Sequence, residues 1–293
     1  MSAGSVLFDA PGPRTRARHR VYSFVGAALI VAGVAYAVWR LWDTGQLTYE
    51  RWEPFVTPRY LEAILVDGLL QTLQMAALAI VAALVFGLVF GVGKLSEHRP
   101  VRWVSWLVVE FFRAVPVLML MILSFFAIFS GVDEIQRRAY WSVVLALMLY
   151  NGAVLAEVFR AGILGVPRGQ AEAAYAIGMR KTQVMTEVLL PQGVKIMVPA
   201  IISQMVVALK DTSLGYYILA PGLTALVKPL YQGFNNHVAV ILVIGGMYVA
   251  VNLVLTAIAT WVQRRYVGEK DMLKVSAVGE QGCGMDGGPA PTN

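Results

Sequence analysis

The chain has little charge. Only 14% of its 293 residues are Asp, Glu, Lys or Arg, whereas 58% are hydrophobic. A soluble domain carries roughly 25% charged residues, so this composition excludes a water-facing surface of ordinary polarity. The net charge is +6, but the basic residues lie mostly at the ends of apolar runs and not in one patch. This pattern is typical of a membrane topology and argues against a nucleic-acid-binding surface.

Cysteine and histidine are also scarce. The one cysteine, Cys283, lies in a Gly-rich tail, which excludes a disulfide within the chain and a cysteine-based metal site. The three histidines, His19, His98 and His237, are far apart in the sequence. Each flanks an apolar run, and their positions lack the spacing of metal ligands. We therefore expect interfacial histidines, no metal site and no cofactor bound by this chain.

Motifs for chemistry are missing as well. The phosphate-binding pattern Gly-x-x-x-x-Gly-Lys-Ser/Thr does not occur, and the run Gly91-Val-Gly-Lys94 lacks its spacing and its hydroxyl residue. No Ser/His arrangement and no metal-ligand spacing typical of a membrane-embedded enzyme is found in the sequence. We expect a transport subunit and not an enzyme, with ATP hydrolysis on a separate chain.

What the sequence does contain is a set of six long apolar runs. They occupy residues 21–39, 68–93, 103–130, 139–156 with a continuation to 164, 196–220, and 238–263. Each run is long enough, as a helix, to cross a hydrocarbon core of about 30 Å. Backbone groups in lipid must be satisfied internally, so each span should be a helix. The sequence predicts an all-α polytopic membrane protein with six spans.

The basic residues orient these spans. The first span is preceded by the arginines Arg14, Arg16, Arg18 and Arg20, which place the N-terminus in the cytoplasm. Six spans then return the C-terminus to the cytoplasm. A rival interpretation of the first span is a cleaved signal peptide, with Ala35-Tyr36-Ala37 as its cleavage site. The apolar run exceeds the usual ~7–15 residues of such a peptide, so we expect the helix to be retained.

The loop between the fourth and fifth spans is unusual in its helix-forming composition. Pro167 suits a first helical turn, residues 170–177 are good helix formers, and Gly178 suits a left-handed stop. Residues 179–190 predict a second short helix, closed by Pro191. Small alanine side chains would let a partner protein approach closely. The alternative is an amphipathic helix on the membrane surface.

One pattern in this loop resembles a known family. The residues Glu172-Ala173-Ala174, then Gly178 after three residues, then Val188-Leu-Leu-Pro191 after nine more, resemble the EAA loop of ABC importer permeases. The family pattern has isoleucine at the first position of the final tetrad, so Val188 is a conservative departure. The resemblance implies that this loop inserts into a cleft on a separate ATP-binding subunit. The residues it assigns to coupling are Gln170, Glu172, Ala173, Ala174, Tyr175, Gly178, Met179, Leu190 and Pro191.

Further segments resemble permeases for polar amino acids of the histidine, glutamine and glutamate type. These are DGLLQTL at 67–73, EFFRAVP at 110–116, EVFRAG at 157–162, VPRGQ at 166–170, PQ at 191–192 and KDTSL at 210–214. Common members have five core helices, and the extra N-terminal helix resembles the larger permease of glutamate systems. The segments are then a basic cytoplasmic tail (1–20), an extra transmembrane helix (21–42), an external linker (43–64), the ABC permease domain (65–266) and a disordered cytoplasmic tail (267–293).

The resemblance also implies partners. Two permeases, identical or different, pair around a translocation path, and an external binding protein delivers the substrate. ATP and Mg²⁺ would bind to the partner ATPase. The implied substrate is a polar amino acid, with glutamate or a relative favoured. An ion-gradient-driven secondary transporter remains the alternative, although no repeat relates residues 21–150 to 151–265.

Several polar residues fall within the apolar runs. Glu110 and Arg113 are three residues apart, as are Glu157 and Arg160, so each pair can share a helix face as a topology anchor or brace. A charge deep in a span costs at least about 2.5–3.5 kcal/mol, so it should face protein or water. The candidates for a translocation path or gate are Lys210, Asp211, Thr212, Ser213, Gln71 and Thr72. Alternatively, Lys210 and Asp211 brace two permeases, and Gln71 and Thr72 hydrogen-bond a neighbouring helix.

Overall fold

The computed structural model describes residues 13–267, with side chains from 18 to 265. Cys283 and the predicted tail from 268 onward lie outside these residues. Within residues 13–267 every regular element is helical. The α-helices are α1 (Pro13–Asp43), α2 (Tyr49–Trp52), α3 (Pro58–Glu62), α4 (Gln71–Leu95), α5 (Arg99–Ala114), α6 (Val117–Leu123), α7 (Ile135–Leu164), α8 (Arg168–Ala176), α9 (Lys181–Gln183), α10 (Leu190–Asp211), α11 (Val227–Phe234) and α12 (His237–Val267).

Wider and tighter helical turns join several of these helices. Wide π-type turns occupy Ala63–Leu70, Ser124–Ile128 and Val184–Leu189. Tight 3₁₀ turns occupy Glu53–Phe55, Thr212–Ile218 and Leu223–Leu226. Such turns satisfy backbone groups locally where the chain departs from the α-helix.

Five continuous helical stretches have the length and hydropathy of membrane spans. They are Arg18–Asp43, Pro58–Leu95, Ile135–Leu164, Lys181–Ile218 and His237–Arg265. A sixth is the pair Arg99–Ala114 and Val117–Ile128, which is bent by 98°. The prediction of an all-helical membrane protein is confirmed, and the number of spans is six when the bent pair is counted as one.

The bend in the third predicted span has a local cause. The run 103–130 reads as one helix in the sequence, but the helix stops at Ala114. Pro116 disfavours the α conformation for the residue before it, and Val115 is extended, with φ −84° and ψ 129°. A proline also removes one backbone donor. Pro116 therefore marks the bend in the sequence, but the long apolar run around it favoured the prediction of one unbroken span.

At Pro191, in contrast to Pro116, the helix continues. The prediction that Pro191 closes a second short helix is wrong, because the helix continues from Lys181 through Pro191 to Ile218. The turn Val184–Leu189 is widened, and the N–H of Leu190 donates to the carbonyl of Met185. A widened turn relieves the clash of a proline ring with the preceding turn, so the helix passes through it.

Helix boundaries elsewhere follow the sequence more closely. The fourth span ends at Leu164, as predicted. The last span was expected near residue 238, and α12 begins at His237, after Asn235 ends α11 in a left-handed conformation with φ 50°. The predicted linker 43–64 contains helices, and the stretch Pro58–Leu95 has 38 residues. That length corresponds to about 57 Å, well beyond a hydrocarbon core.

The described chain forms two compact units. The first comprises residues up to 77, 121–144 and 212–249. Its core contains Ile64, Leu223, Leu230, Val240 and Ile244, all buried. Burial of such side chains away from water is the main favourable term in folding, although helices that face lipid depend more on close packing.

The second unit comprises residues 78–120, 145–211 and 250 onward. Glycines bring its helices close together. A Cβ atom added to Gly87 would lie 2.7 Å from the Cβ of Leu155, and one added to Gly152 would lie 2.7 Å from the ring of Phe86. Close approach through small residues is the usual packing mode of membrane helices. It brings α4 against α7 and so positions the charged residues at the end of α4.

Candidate functional site

Helix α8 is capped as the sequence predicts. Gly178 follows it with φ +83°. The N–H of Gly178 donates to the carbonyl of Tyr175 at 3.0 Å, and the N–H of Met179 donates to that of Ala174 at 3.2 Å. These bonds satisfy carbonyls at the end of the helix, and the left-handed conformation favours glycine.

One face of α8 packs on the chain and the other is open. Ala174 is buried, and α8 contacts the wide turn Val184–Leu189. Glu172 and Ala173 are exposed, and Tyr175 keeps 49% of its surface accessible. Among the other predicted coupling residues, Gln170, Gly178, Leu190 and Pro191 are exposed and Met179 is half-buried. The exposed face thus combines small, acidic and aromatic side chains.

Polar contacts hold this segment in place. Gln192 of α10 donates through Nε2 to the Gln170 side chain at 3.4 Å and to the Val188 carbonyl at 3.0 Å. Lys181 forms an ion pair with Glu97, in the turn before α5. The segment after α8 is therefore connected both to α10 and to the α4–α5 turn.

Five charged residues of the second unit form one cluster. The predicted pairs are present: Arg160 Nε lies 2.9 Å from Glu157 Oε2, and Arg113 lies 3.5 Å from Glu110. Lys94 joins them, with its Nζ atom 3.2 Å from Glu110 Oε1 and in an ion pair with Glu157. The Lys94 side chain is only 7% exposed. The cluster links α4, α5 and α7.

Sequence reasoning missed Lys94 as the centre of this cluster. Lys94 lies at the end of an apolar run, where a basic residue usually indicates only the orientation of the span in the membrane. The balance of charge gave no signal for it, because Glu110 and Glu157 each already have an arginine three residues later.

A cleft of about 780 Å³ opens beside the cluster. It has four basic and two acidic side chains together with two tryptophans. Its lining is Lys94, Arg99, Pro100, Arg102, Trp103, Trp106, Glu110, Glu157 and Arg160. The sequence analysis did not predict this cleft.

The candidates for a translocation path lie around the end of α10. Lys210 is exposed, Asp211 and Ser213 are half-buried, and Thr212 is buried. Within residues 18–265, Lys210 and Asp211 form no ion pair with each other, and adjacent residues on a helix point about 100° apart. The α-helix changes to a 3₁₀ turn at Thr212. Pro199 lies inside α10 and does not break it.

Thr72 belongs to a cluster of hydroxyl groups in the first unit. Its Oγ1 donates to the Gly68 carbonyl at 2.9 Å and accepts the N–H of Leu223 at 3.0 Å. The Tyr248 hydroxyl lies among the side chains of Thr72, Thr212 and Thr224. Of the two sequence interpretations of Thr72, hydrogen bonding to a neighbouring segment matches these contacts.

Of the other residues around Thr72, the sequence predicted one and missed two. Gln71 is half-buried beside Thr72. Thr224 and Tyr248 were not predicted, because nothing local in the sequence marks them. Gly222 has φ +131°, and a Cβ atom there would lie 2.6 Å from Thr72 Oγ1. Glycine at 222 thus permits the close approach that the Thr72–Leu223 bond requires.

A second neutral contact crosses between helices in the second unit. Asn151, on α7, is buried and donates to the Leu147 carbonyl at 3.0 Å. Gln204, on α10, donates through Nε2 to Asn151 Oδ1 at 2.6 Å. The pair braces α7 against α10. Gln204 was missed because its partner lies 53 residues away.

Apolar spanning helices, buried polar braces and an exposed capped helix between two spans are the features of a multi-pass membrane transport subunit. Residues 76–268 match the family described as "Binding-protein-dependent transport system inner membrane component". The chain belongs to this family.

Relatives and solved structures agree with that assignment. The chain is 41% identical to the glutamate transport system permease protein GluD of Corynebacterium glutamicum, over 75% of this chain and 81% of the relative. It is 30% identical to the glutamate/aspartate import permease protein GltK of Escherichia coli, over 69% and 92%. A crystal structure of an amino acid ABC transporter with histidines matches with a TM-score of 0.65 and 27% identity, covering 71% of this chain and 95% of that one.

Proposed function

We propose that this chain is the permease subunit of an ATP-driven importer for a polar amino acid, with glutamate or a related amino acid as substrate. The family assignment supports the permease role. The names of GluD and GltK support glutamate. A 28% identical relative is named for arginine transport, so the choice of substrate needs a direct test.

The observation that carries the coupling role is the exposed face of α8. Glu172, Ala173 and Tyr175 lie on a short helix that is stopped by Gly178 and anchored to α10 through Gln170. Small side chains allow close contact with a partner, and an acidic and an aromatic group supply orientation. A movement imposed on α8 would pass to α10 through its contacts with Val184–Leu189 and Gln192.

The partners follow from this role. A separate ATP-binding subunit would hold ATP and Mg²⁺, since the sequence lacks a phosphate-binding loop. A second permease would complete the path, and an external binding protein would deliver the amino acid. Both termini would lie in the cytoplasm, on the side of α8. The alternative of an ion-gradient-driven transporter has no support from the family match.

The translocation path is proposed to run past the end of α10. Lys210 is exposed and without an ion pair among the described residues, although it lies in an apolar span. Such a charge must face water or protein. We assign Lys210, Asp211, Thr212 and Ser213 to the path or gate. Gln71 and Thr72 are assigned to the same role, with Thr72 also serving as a brace.

The coupling role is tested by comparing Gly178→Arg with Gly131→Arg. Both glycines are exposed with open space where a Cβ would lie, but only Gly178 has a positive φ. A left-handed conformation costs a non-glycine residue about 1–2 kcal/mol. We expect Gly178→Arg to lower recovery of the ATP-binding subunit in co-purification by about tenfold. Gly131→Arg should recover it normally.

Transport itself is tested in proteoliposomes with the purified complex and the external binding protein. Labelled glutamate should accumulate only with ATP, and an uncoupler should not abolish uptake. Unlabelled aspartate and glutamine should compete more effectively than arginine. Uptake that follows an ion gradient without ATP would reject the ABC assignment. ATP-driven uptake of arginine alone would retain the permease role and reject the glutamate proposal.

A further inference from the structure

Helix α5 has three distinct faces. The first faces the protein, with Ser105 and Val109 buried and Phe112 partly buried. The second is apolar and exposed, with Val101, Val104, Leu107 and Phe111. The third is basic and aromatic and lines the cleft, with Arg99, Arg102, Trp103, Trp106 and Glu110. An exposed apolar face beside a basic and tryptophan-bearing face is the arrangement of helices at a membrane interface.

The charges of the cleft are unevenly neutralised. Its two carboxylates, Glu110 and Glu157, are already engaged by Lys94 and by the arginines three residues after them. Arg102 contacts the backbone carbonyl of Ser96 only at 3.5 Å. Arg99 has no carboxylate partner among the residues that the structure describes. Two guanidinium groups, one helical turn apart on α5, thus remain open to an anion.

We propose that this cleft binds the headgroup of an anionic phospholipid. The phosphate lies between Arg99 and Arg102, where guanidinium groups can donate paired hydrogen bonds to its oxygens. The acyl chains follow the exposed apolar face at Val104, Leu107 and Phe111. Basic sites beside spanning helices on the cytoplasmic side are suited to anionic headgroups.

The neighbouring side chains favour a lipid over a soluble phosphate. Trp103 and Trp106 are 61% and 49% exposed and border the cleft. Tryptophan lies preferentially at the level of lipid headgroups, with its ring against the acyl chains and its N–H toward water. A soluble anion would gain nothing from these rings or from the apolar face. The proposal is independent of which substrate the protein transports.

The test uses quenching of tryptophan fluorescence by brominated lipids. The full chain is reconstituted in phosphatidylcholine vesicles that contain phosphatidylglycerol, with bromine on the chains of one lipid or the other. Brominated phosphatidylglycerol should quench more strongly at equal mole fraction. Each arginine near the headgroup should contribute about a fivefold preference, equivalent to about 1 kcal/mol. The double variant Arg99→Gln/Arg102→Gln should lose this preference.

Matched variants make the result specific. Arg59→Gln/Arg137→Gln removes two exposed arginines elsewhere and should leave the preference unchanged. Trp103→Phe/Trp106→Phe should remove most of the excess quenching, because these two tryptophans border the cleft. The other five of the seven tryptophans remain and still report general contact with lipid. Arg99→Lys/Arg102→Lys keeps the charge and should retain part of the preference, which separates lost binding from misfolding.

Three results would overturn the proposal. Equal quenching by both brominated lipids in the native protein would exclude an anionic lipid site. An equal loss in the Arg59→Gln/Arg137→Gln control would mean that overall charge, and not this cleft, attracts the lipid. Abolition of the preference by inorganic phosphate, at an ionic strength matched with chloride, would mean that the cleft binds a soluble oxyanion.

Discussion

In the second unit, Lys94 connects three helices through ion pairs with Glu110 and Glu157. In the first unit, Thr72 and Tyr248 connect segments through hydroxyl groups and one backbone N–H. The two units thus use charge in one case and neutral hydrogen bonds in the other. The second unit contains the α-helices α5 and α10 and most of α4.

The difference reflects which polar groups in each unit need a partner. The first unit contains the 3₁₀ turns Thr212–Ile218 and Leu223–Leu226 and the wide turn Ala63–Leu70. The first N–H of the turn Leu223–Leu226 has no carbonyl partner within that turn, and the Thr72 hydroxyl accepts it without burying a charge. The second unit has its charges at the ends of continuous helices. There the ion pairs hold helices together, and they do not pair with backbone groups.

The largest expected effect is that of Lys94→Met. The change keeps the apolar stem and leaves Glu157, which is 20% exposed, with one cationic partner fewer. Removing one member of a buried ion pair destabilises strongly, and we expect a loss of about 3 kcal/mol in the free energy of unfolding. Denaturant unfolding in mixed micelles measures it. Lys195→Met, at an exposed position of α10, is the matched control and should change little.

A triple variant sharpens this prediction. Lys94→Met combined with Glu110→Gln and Glu157→Gln also removes the two negative charges that Lys94 contacts, so part of the lost stability should return. If the triple variant is less stable than Lys94→Met alone, repulsion between the two carboxylates is not the cause of the loss. In that case Lys94 acts mainly through packing.

The sequence predicted local features well. Gly178 as a helix stop, the pairs Glu110–Arg113 and Glu157–Arg160, and the start of α12 all depend on residues within four positions of one another. Such interactions are set by helix geometry alone. The same reasoning failed at Pro191, because a widened turn earlier in the helix absorbs the proline.

Contacts between distant residues were not predictable in this way. Lys94 meets Glu157 across 63 residues, and Thr72 meets the N–H of Leu223 across 151. Which helix faces pack together decides these pairs, and a single sequence does not specify that. The sequence could identify Thr72 as polar in an apolar run. It could not distinguish a brace from a substrate contact.

The second prediction concerns the neutral cluster of the first unit. Thr72→Val keeps the shape of the side chain and leaves the buried N–H of Leu223 without its acceptor. An unsatisfied buried donor costs about 1–3 kcal/mol. Thr256→Val is the control, because the Thr256 hydroxyl is exposed and donates only to a carbonyl of its own helix. A loss equal to that of Lys94→Met would remove the distinction between the two units.

The third prediction concerns a neutral contact in the second unit, the unit that also contains the Lys94 ion pairs. Gln204→Leu removes the hydrogen bond from Gln204 to Asn151. Polar contacts between membrane helices contribute about 0.6 kcal/mol on average and up to about 1.7 kcal/mol. We expect a loss within this range. A double-mutant cycle with Asn151→Leu isolates the pair, and a coupling energy near zero would show that the two amides act independently.

The smallest effect is expected for Arg113→Gln. Arg113 lies 3.5 Å from Glu110, and both side chains are about 40% exposed. Exposed ion pairs contribute about 0–1 kcal/mol, since water and salt screen them. Arg113→Gln should therefore lower the free energy of unfolding far less than Lys94→Met, although both remove a cation from the same carboxylate. Comparing the two variants in low and high salt tests burial as the cause, because only the Arg113 contribution should disappear in high salt. If both contributions vanish, water reaches Lys94 as freely as it reaches Arg113, and the second unit is not held by a buried charge.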